Sequence, residues 1–103
     1  GAISLTPPFQ RKLVDLQGDV QTLKDKEVRL VNVTIFYKIG TQEQTVQTSM
    51  NPSSESFAKR LDFILPKGVN DYEYEITWVK KGNTTQSSGR KKYNGTTLFV
   101  DEI

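Results

Sequence analysis

Hydrophobic and polar positions alternate along most of the chain, and β-branched and aromatic residues fall on that alternation. A period of two marks half-buried strands. It predicts seven or eight strands, over residues 9–17, 28–39, 43–50, 56–65, 71–81, 84–93 and 96–102, with a short extra one over 19–23. Turn chemistry separates them at Gly18-Asp19, Lys24-Asp25-Lys26, Gly40-Thr41, Asn51-Pro52-Ser53-Ser54, Pro66-Lys67-Gly68, Gly82-Asn83 and Asn94-Gly95. No window carries a long amphipathic helix. Phe9 to Leu23 comes nearest, and Gly18 interrupts it. The stretch 53–60 has cap-like character and can open as a helical turn instead of a strand. Short strands at even spacing predict an all-β fold, an antiparallel β-sandwich of seven or eight strands.

The alternation also sorts residues by face. In 28–39, Val31, Val33, Ile35, Tyr37 and Ile39 share the more apolar side and go inward. Leu30, Asn32, Thr34, Phe36 and Lys38 take the other. The expected core is Val31, Val33, Ile35, Leu61, Phe63, Leu65, Tyr72, Tyr74, Ile76, Trp78, Leu98 and Val100. Leu13, Val14, Leu16, Val20 and Leu23 must also be buried against something, whatever form 9–23 takes.

The last third reads to residue pairs. Gly82-Asn83 as a two-residue hairpin loop sets Lys81 opposite Thr84, Glu75 opposite Arg90 and Glu73 opposite Lys92. Tyr72, Tyr74, Ile76 and Trp78 then share the inward side. Lys91 shares it too, which suits a lysine only near a sheet end, with its head in water. A bulge at Gly89 would shift the second half of this register. Asn94-Gly95 is the strongest short hairpin signal. It predicts a three-stranded meander in which Leu98 and Val100 join the Ile76 face.

The stretch Leu65-Pro66-Lys67-Gly68-Val69-Asn70-Asp71-Tyr72 resembles the approach to a tyrosine corner. There a Tyr near the start of strand F bonds back to backbone a few residues upstream. Leu-x-Pro-type turns before such a Tyr are familiar from fibronectin type III and related immunoglobulin-like domains, and Tyr74, Ile76 and Trp78 resemble an F strand. The resemblance runs over residues 56–93. It implies an immunoglobulin-like sandwich with 28–39 as strand B or C and 56–65 as strand E. The chain departs from the immunoglobulin pattern in having no cysteine pair and in carrying Trp78 on a late strand.

Composition narrows the chemistry. At 103 residues the chain is one domain, spanning 9–103. Residues 1–8, with the stiff Thr6-Pro7-Pro8, read as a linker or an expression scar on an excised module or mature secreted chain. There is no cysteine and no histidine, so thiolate and imidazole ligands and the commonest general base are missing. No cofactor and no metal are expected. The net charge of +2 balances 14 basic against 12 acidic residues, which gives no reason to expect a nucleic acid partner. No apolar run approaches the ~18 residues of a membrane helix, so no membrane insertion is expected.

Each remaining constellation has a plain structural reading. Tyr72, Tyr74, Trp78 and Tyr93 suit a sugar-stacking platform, but Ile76 in the same row marks a core face. Lys80, Lys81, Arg90, Lys91 and Lys92 form a basic stretch that the expected ion pairs largely balance. Asp71, Glu73 and Glu75 offer oxygen to calcium without a calcium-loop spacing. Glu73 and Glu75 as an acid–base pair lack the deep pocket a glycosidase needs. Sequons stand at Asn32, Asn83 and Asn94. The missing cysteines favour a bacterial source.

The expectation is therefore a non-catalytic module of an extracellular, cell-surface or periplasmic protein. It would act as a spacer or bind a protein partner or neighbouring domains. The alternative is a carbohydrate-binding module using exposed aromatics. The candidate binding residues are Phe36 and Phe99, as exposed aromatics, with Lys80 and Lys81 at a hairpin tip.

Overall fold

The computed structural model describes residues 9–53 and 57–103. The expected linker over 1–8 lies outside them, as does the middle of the 53–60 stretch. In chain order the elements are β1 (Phe9–Gln17), α1 (Val20–Asp25), β2 (Val28–Ile39), β3 (Gln42–Met50), β4 (Lys59–Pro66), β5 (Tyr72–Lys80), β6 (Thr85–Ser87), β7 (Lys91–Tyr93) and β8 (Thr97–Phe99). The fold is all-β, as the alternation predicts. Its strands form two sheets. One has the order β4-β1-β8; the other has the order β3-β2-β5-β6, with β7 also paired to β5. All pairings are antiparallel except β1 with β8.

The core lies between the inward faces of the two sheets. Val14 and Leu16 of β1, Leu61, Phe63 and Leu65 of β4, and Leu98 and Val100 near the end of the chain come from the first. Val31, Val33 and Ile35 of β2, with Met50, Tyr72, Ile76 and Trp78, come from the second. The three inward residues at the middle of β2 are completely buried, as their face predicts. Tyr74, expected in the core, is only half-buried, because it has the buried Ile35 on one side but the exposed Lys91 on the other, at the end of the sheet.

Residues 19–23 form no strand. Asp19 caps a short helix instead: its carboxylate accepts from the Gln21 N–H at 3.0 Å and from the Thr22 hydroxyl at 3.1 Å. Such a cap satisfies amide protons that a helix start leaves free. The sequence Val-Gln-Thr-Leu-Lys-Asp offers one residue, Leu23, for full burial, and one helical turn delivers it.

The hairpin after β5 differs from its expected register by one residue. Lys80, not Lys81, faces Thr84, with the Lys80 N–H on the Thr84 carbonyl at 2.8 Å. The loop is three residues long, and Gly82 and Asn83 both sit in the left-handed region. Trp78 therefore faces Gln86. Gly89, at φ 73°, then supplies the bulge and restores the predicted register, so Glu73 faces Lys92. The single strand expected over 84–93 is split into β6 and β7 by this break. Glu75 accepts from the Ser87 hydroxyl at 2.7 Å instead of meeting Arg90.

The meander does not form. Neither Asn94 nor Gly95 has positive φ, which the tight hairpin turn requires of both central residues. The chain crosses to the other sheet, where β8 runs parallel to β1. Four bonds hold the crossing. The Tyr72 hydroxyl donates to the Gly95 carbonyl at 2.6 Å, and the Lys12 ammonium donates to the Asn94 carbonyl at 3.0 Å. The Asp15 N–H donates to the Thr96 carbonyl at 2.8 Å, and the Tyr93 hydroxyl to the Thr97 carbonyl at 3.0 Å. The Trp78 indole N–H then fixes the Val100 carbonyl at 2.8 Å. Tyr72 thus bonds downstream, not upstream as a tyrosine corner does. Burial raises its phenol well above the usual range.

Candidate functional site

Phe36 projects from the outer side of β2, between Thr45 on β3 and Glu73 on β5. Its ring is already occupied. The Arg90 guanidinium carbon stands 3.9 Å from the ring centroid, a cation–π distance. Arg90 also donates to Glu43 at 3.0 Å and to Glu73 at 3.2 Å, and these bonds raise its pKa further. Phe36 and Arg90 line a shallow groove of about 260 Å³. Its acids Glu43, Asp71 and Glu73 are matched by Lys38, Arg90 and Lys92, so it favours neither sign of ligand.

The aromatic row is no flat platform. Tyr72 and Trp78 are buried. Tyr93 meets Tyr72 and Tyr74 edge-on, with interplanar angles of 89° and 79°. The carboxylates considered for calcium are engaged elsewhere: Glu73 with Arg90, Glu75 with Ser87, and Asp71 near Lys92 at 4.0 Å. Among the described residues no group of three or more acidic side chains is placed to hold a metal. Lys80 and Lys81 stand at the hairpin tip, where the Lys81 N–H bonds the Glu27 carbonyl at 2.9 Å. Neither belongs to an ion pair among the described residues.

Phe99 is the most exposed large apolar residue described, at 52%. Its neighbour Leu98 and the following Val100 are buried, so the backbone holds the Phe99 ring away from the core. It belongs to the three-stranded sheet and Phe36 to the other. The structure does not bring these two aromatics together.

The outer face of the three-stranded sheet adds Phe9 and Ile64, which were not singled out from the sequence, and Leu13, which was expected to be buried but alternates outward with Val14 and Leu16 turned to the core. Phe9 and Leu13 on β1 and Ile64 on β4 are all exposed there. Arg11 faces Ile64 and Leu13 faces Asp62, so Leu13 and Ile64 are diagonal neighbours. Phe99 is registered against Gln17 on the other side of β1. Two ion pairs fix the polar positions between them. Arg11 Nε lies 3.0 and 2.9 Å from the two Asp62 oxygens, and Arg60 Nε lies 2.7 Å from Asp15. The Arg11 hydrogen bonds lower the Asp62 pKa, and both arginines are raised in turn. The signal for this face was present in 9–17, where Phe9 and Leu13 lie on one side and Val14 and Leu16 on the other. A strand apolar on both sides has a second surface to cover, but only its pairing with β4 shows what that surface is.

Lys12 is the other residue not foreseen. It points inward from β1 and is 9% exposed, with its ammonium 5.8 Å from the Tyr72 ring centroid. Its bond to Asn94 gives it a part in holding the crossing to β8. Comparison with known proteins finds no matching family model, no matching curated protein and no matching solved structure.

Proposed function

We propose that the chain is a non-catalytic β-sandwich module that docks a protein partner, or a neighbouring domain, on the outer face of its three-stranded sheet. The observation that carries this reading is the set Phe9, Leu13, Ile64 and Phe99, exposed on one face around two fixed Arg–Asp pairs. Aromatic residues and arginine are enriched in protein interfaces, and lysine is depleted. The described outward positions of β1 and β4 carry arginine and no lysine. Side chains held by ion pairs lose less freedom on binding, which lowers the cost of association.

An immunoglobulin-like assignment accompanies the proposal. The order β3-β2-β5-β6 parallels strands C′, C, F and G of an immunoglobulin sandwich, and β4-β1 parallels E and B. The place beside B that strand A usually fills is taken by β8. A role at the cell surface or in a secreted protein fits such a module and belongs to the same proposal.

The test is affinity capture with the folded chain as bait, using a surface fraction from the source cells. Changing Leu13, Ile64 and Phe99 together to Ser should abolish capture, while Phe36→Ser should leave it intact. Capture that survives the triple change, or that disappears with Phe36→Ser alone, would contradict the proposal.

A further inference from the structure

A sheet edge exposes unpaired backbone groups, and proteins blunt such edges with charge, proline, bulges or shortness. Three of the edges here are blunted. β4 carries Lys59, Arg60 and Asp62 and closes on Pro66. β6 and β7 are three residues each, broken at Gly89, and β7 begins with two lysines. β8 has three residues. β3 has a single charge and none of the other devices. It runs nine residues, Gln-Glu-Gln-Thr-Val-Gln-Thr-Ser-Met, and pairs with β2 in unbroken register from Val31↔Met50 to Ile39↔Gln42. It contains no Lys, Pro or Gly. Its one charge, Glu43, is already bonded to Arg90.

We infer that β3 pairs with β3 of a second copy of this chain, antiparallel about a two-fold axis at Val46. Val46 is the middle of the nine residues, so this register overlaps both strands completely. Thr45 then faces Gln47 of the second copy, Gln44 faces Thr48, and Glu43 faces the uncharged Ser49. The two Glu43 side chains end up six residues apart along the strand, about 20 Å. That exceeds twice the roughly 8 Å screening length at physiological salt. A parallel pairing would place them one strand spacing apart, about 4.8 Å, with like charges opposed. The half-buried Val46 side chains meet on the inward side, where each already packs against the core. The two five-stranded sheets become one continuous sheet. A contact of one strand lies at the small end of interfaces, below about 1,200 Å² in total, so the pairing is reversible. This association is independent of the docking face, which lies on the other sheet.

Sedimentation velocity of the whole chain, from about 10 μM to about 1 mM, reads the equilibrium in the range of weak contacts. The wild type should shift from monomer to dimer across that range. Thr45→Lys with Gln47→Lys, both at exposed positions, places lysines opposite each other across the axis and should weaken the dimer at least tenfold, with an unchanged circular dichroism spectrum. Thr45→Glu with Gln47→Glu should do the same. Mixing the lysine and glutamate versions should restore association, because each lysine then faces a glutamate. A wild type that stays monomeric throughout overturns the inference, even where some other protein binds at β3. So does a dimer that the lysine pair leaves unchanged, or a mixture of the two charged versions that remains monomeric.

Discussion

The five-stranded sheet holds two hairpins of sequence neighbours, joined at its centre by the pairing of β2 with β5. β2 turns into β3 through Gly40, and β5 turns into β6 through residues 81–83. The three-stranded sheet contains no such pair: β1, β4 and β8 come from the start, the middle and the end of the chain. The two sheets also present different outer faces. On the first, Phe36 is covered by Arg90 and the charges are matched. On the second, Phe9, Leu13, Ile64 and Phe99 are left open. Local turn chemistry can build a sheet edge by edge. A sheet of distant strands must be held from its neighbour, here by the Tyr72 and Trp78 bonds to the segment around β8, with the Lys12 bond from β1 adding a tie within the sheet.

The strongest way to break this difference is to remove the tie at Trp78. Trp78→Ala should cost about 3–5 kcal/mol in urea or thermal unfolding, through lost burial and a cavity. Hydrogen exchange should then show β8 and β1 losing protection ahead of β2 and β3. Leu98→Ala should follow, at about 2–4 kcal/mol, with the same order of exchange. Tyr72→Phe keeps the ring and removes only the bond to the Gly95 carbonyl, so its cost should be about 1 kcal/mol.

The Tyr72 phenol also gives a pH dependence. Its folded pKa lies above the unfolded value of 10.0, so its stabilisation is complete below that pH. Above it the unfolded state releases the proton first, and stability should fall as pH rises. Tyr72→Phe should flatten that alkaline decline. The smallest effect belongs to Asp62, whose folded pKa is lowered by Arg11. Its contribution is present above the ordinary value of 3.8 and should be lost as pH falls through the lower folded value. The pair is exposed, so Arg11→Ala should leave neutral-pH stability nearly unchanged and slightly flatten the acid limb.

The same contrast explains what could be read from the residues. β2 was legible because its alternation is regular: Val31, Val33 and Ile35 are fully buried, and Phe36 lies on the outer face. Gly89 was legible as the place for a bulge because glycine adopts its backbone angle readily, but the split of 84–93 into two strands was not. Leu98 and Val100 were rightly placed in the core but on the wrong sheet, since Asn94-Gly95 reads as a hairpin unless the Tyr72 and Lys12 bonds are known. The helix at 20–25 depended on Asp19 acting as a cap, which a short apolar spacing does not reveal. The open face was least legible. Leu13 and Ile64 are separated by fifty residues of intervening chain in number and become neighbours only through the β1–β4 register.

The recognition surface itself can be located by amide chemical-shift mapping of the isotope-labelled chain, titrated with the protein it captures. If the open face of the three-stranded sheet docks that partner, shifts should concentrate in Phe9–Gln17, Lys59–Pro66 and Thr97–Phe99, with β2 and β5 little changed. Shifts concentrated around Phe36, Glu73 and Arg90, with β1, β4 and β8 unmoved, would contradict it.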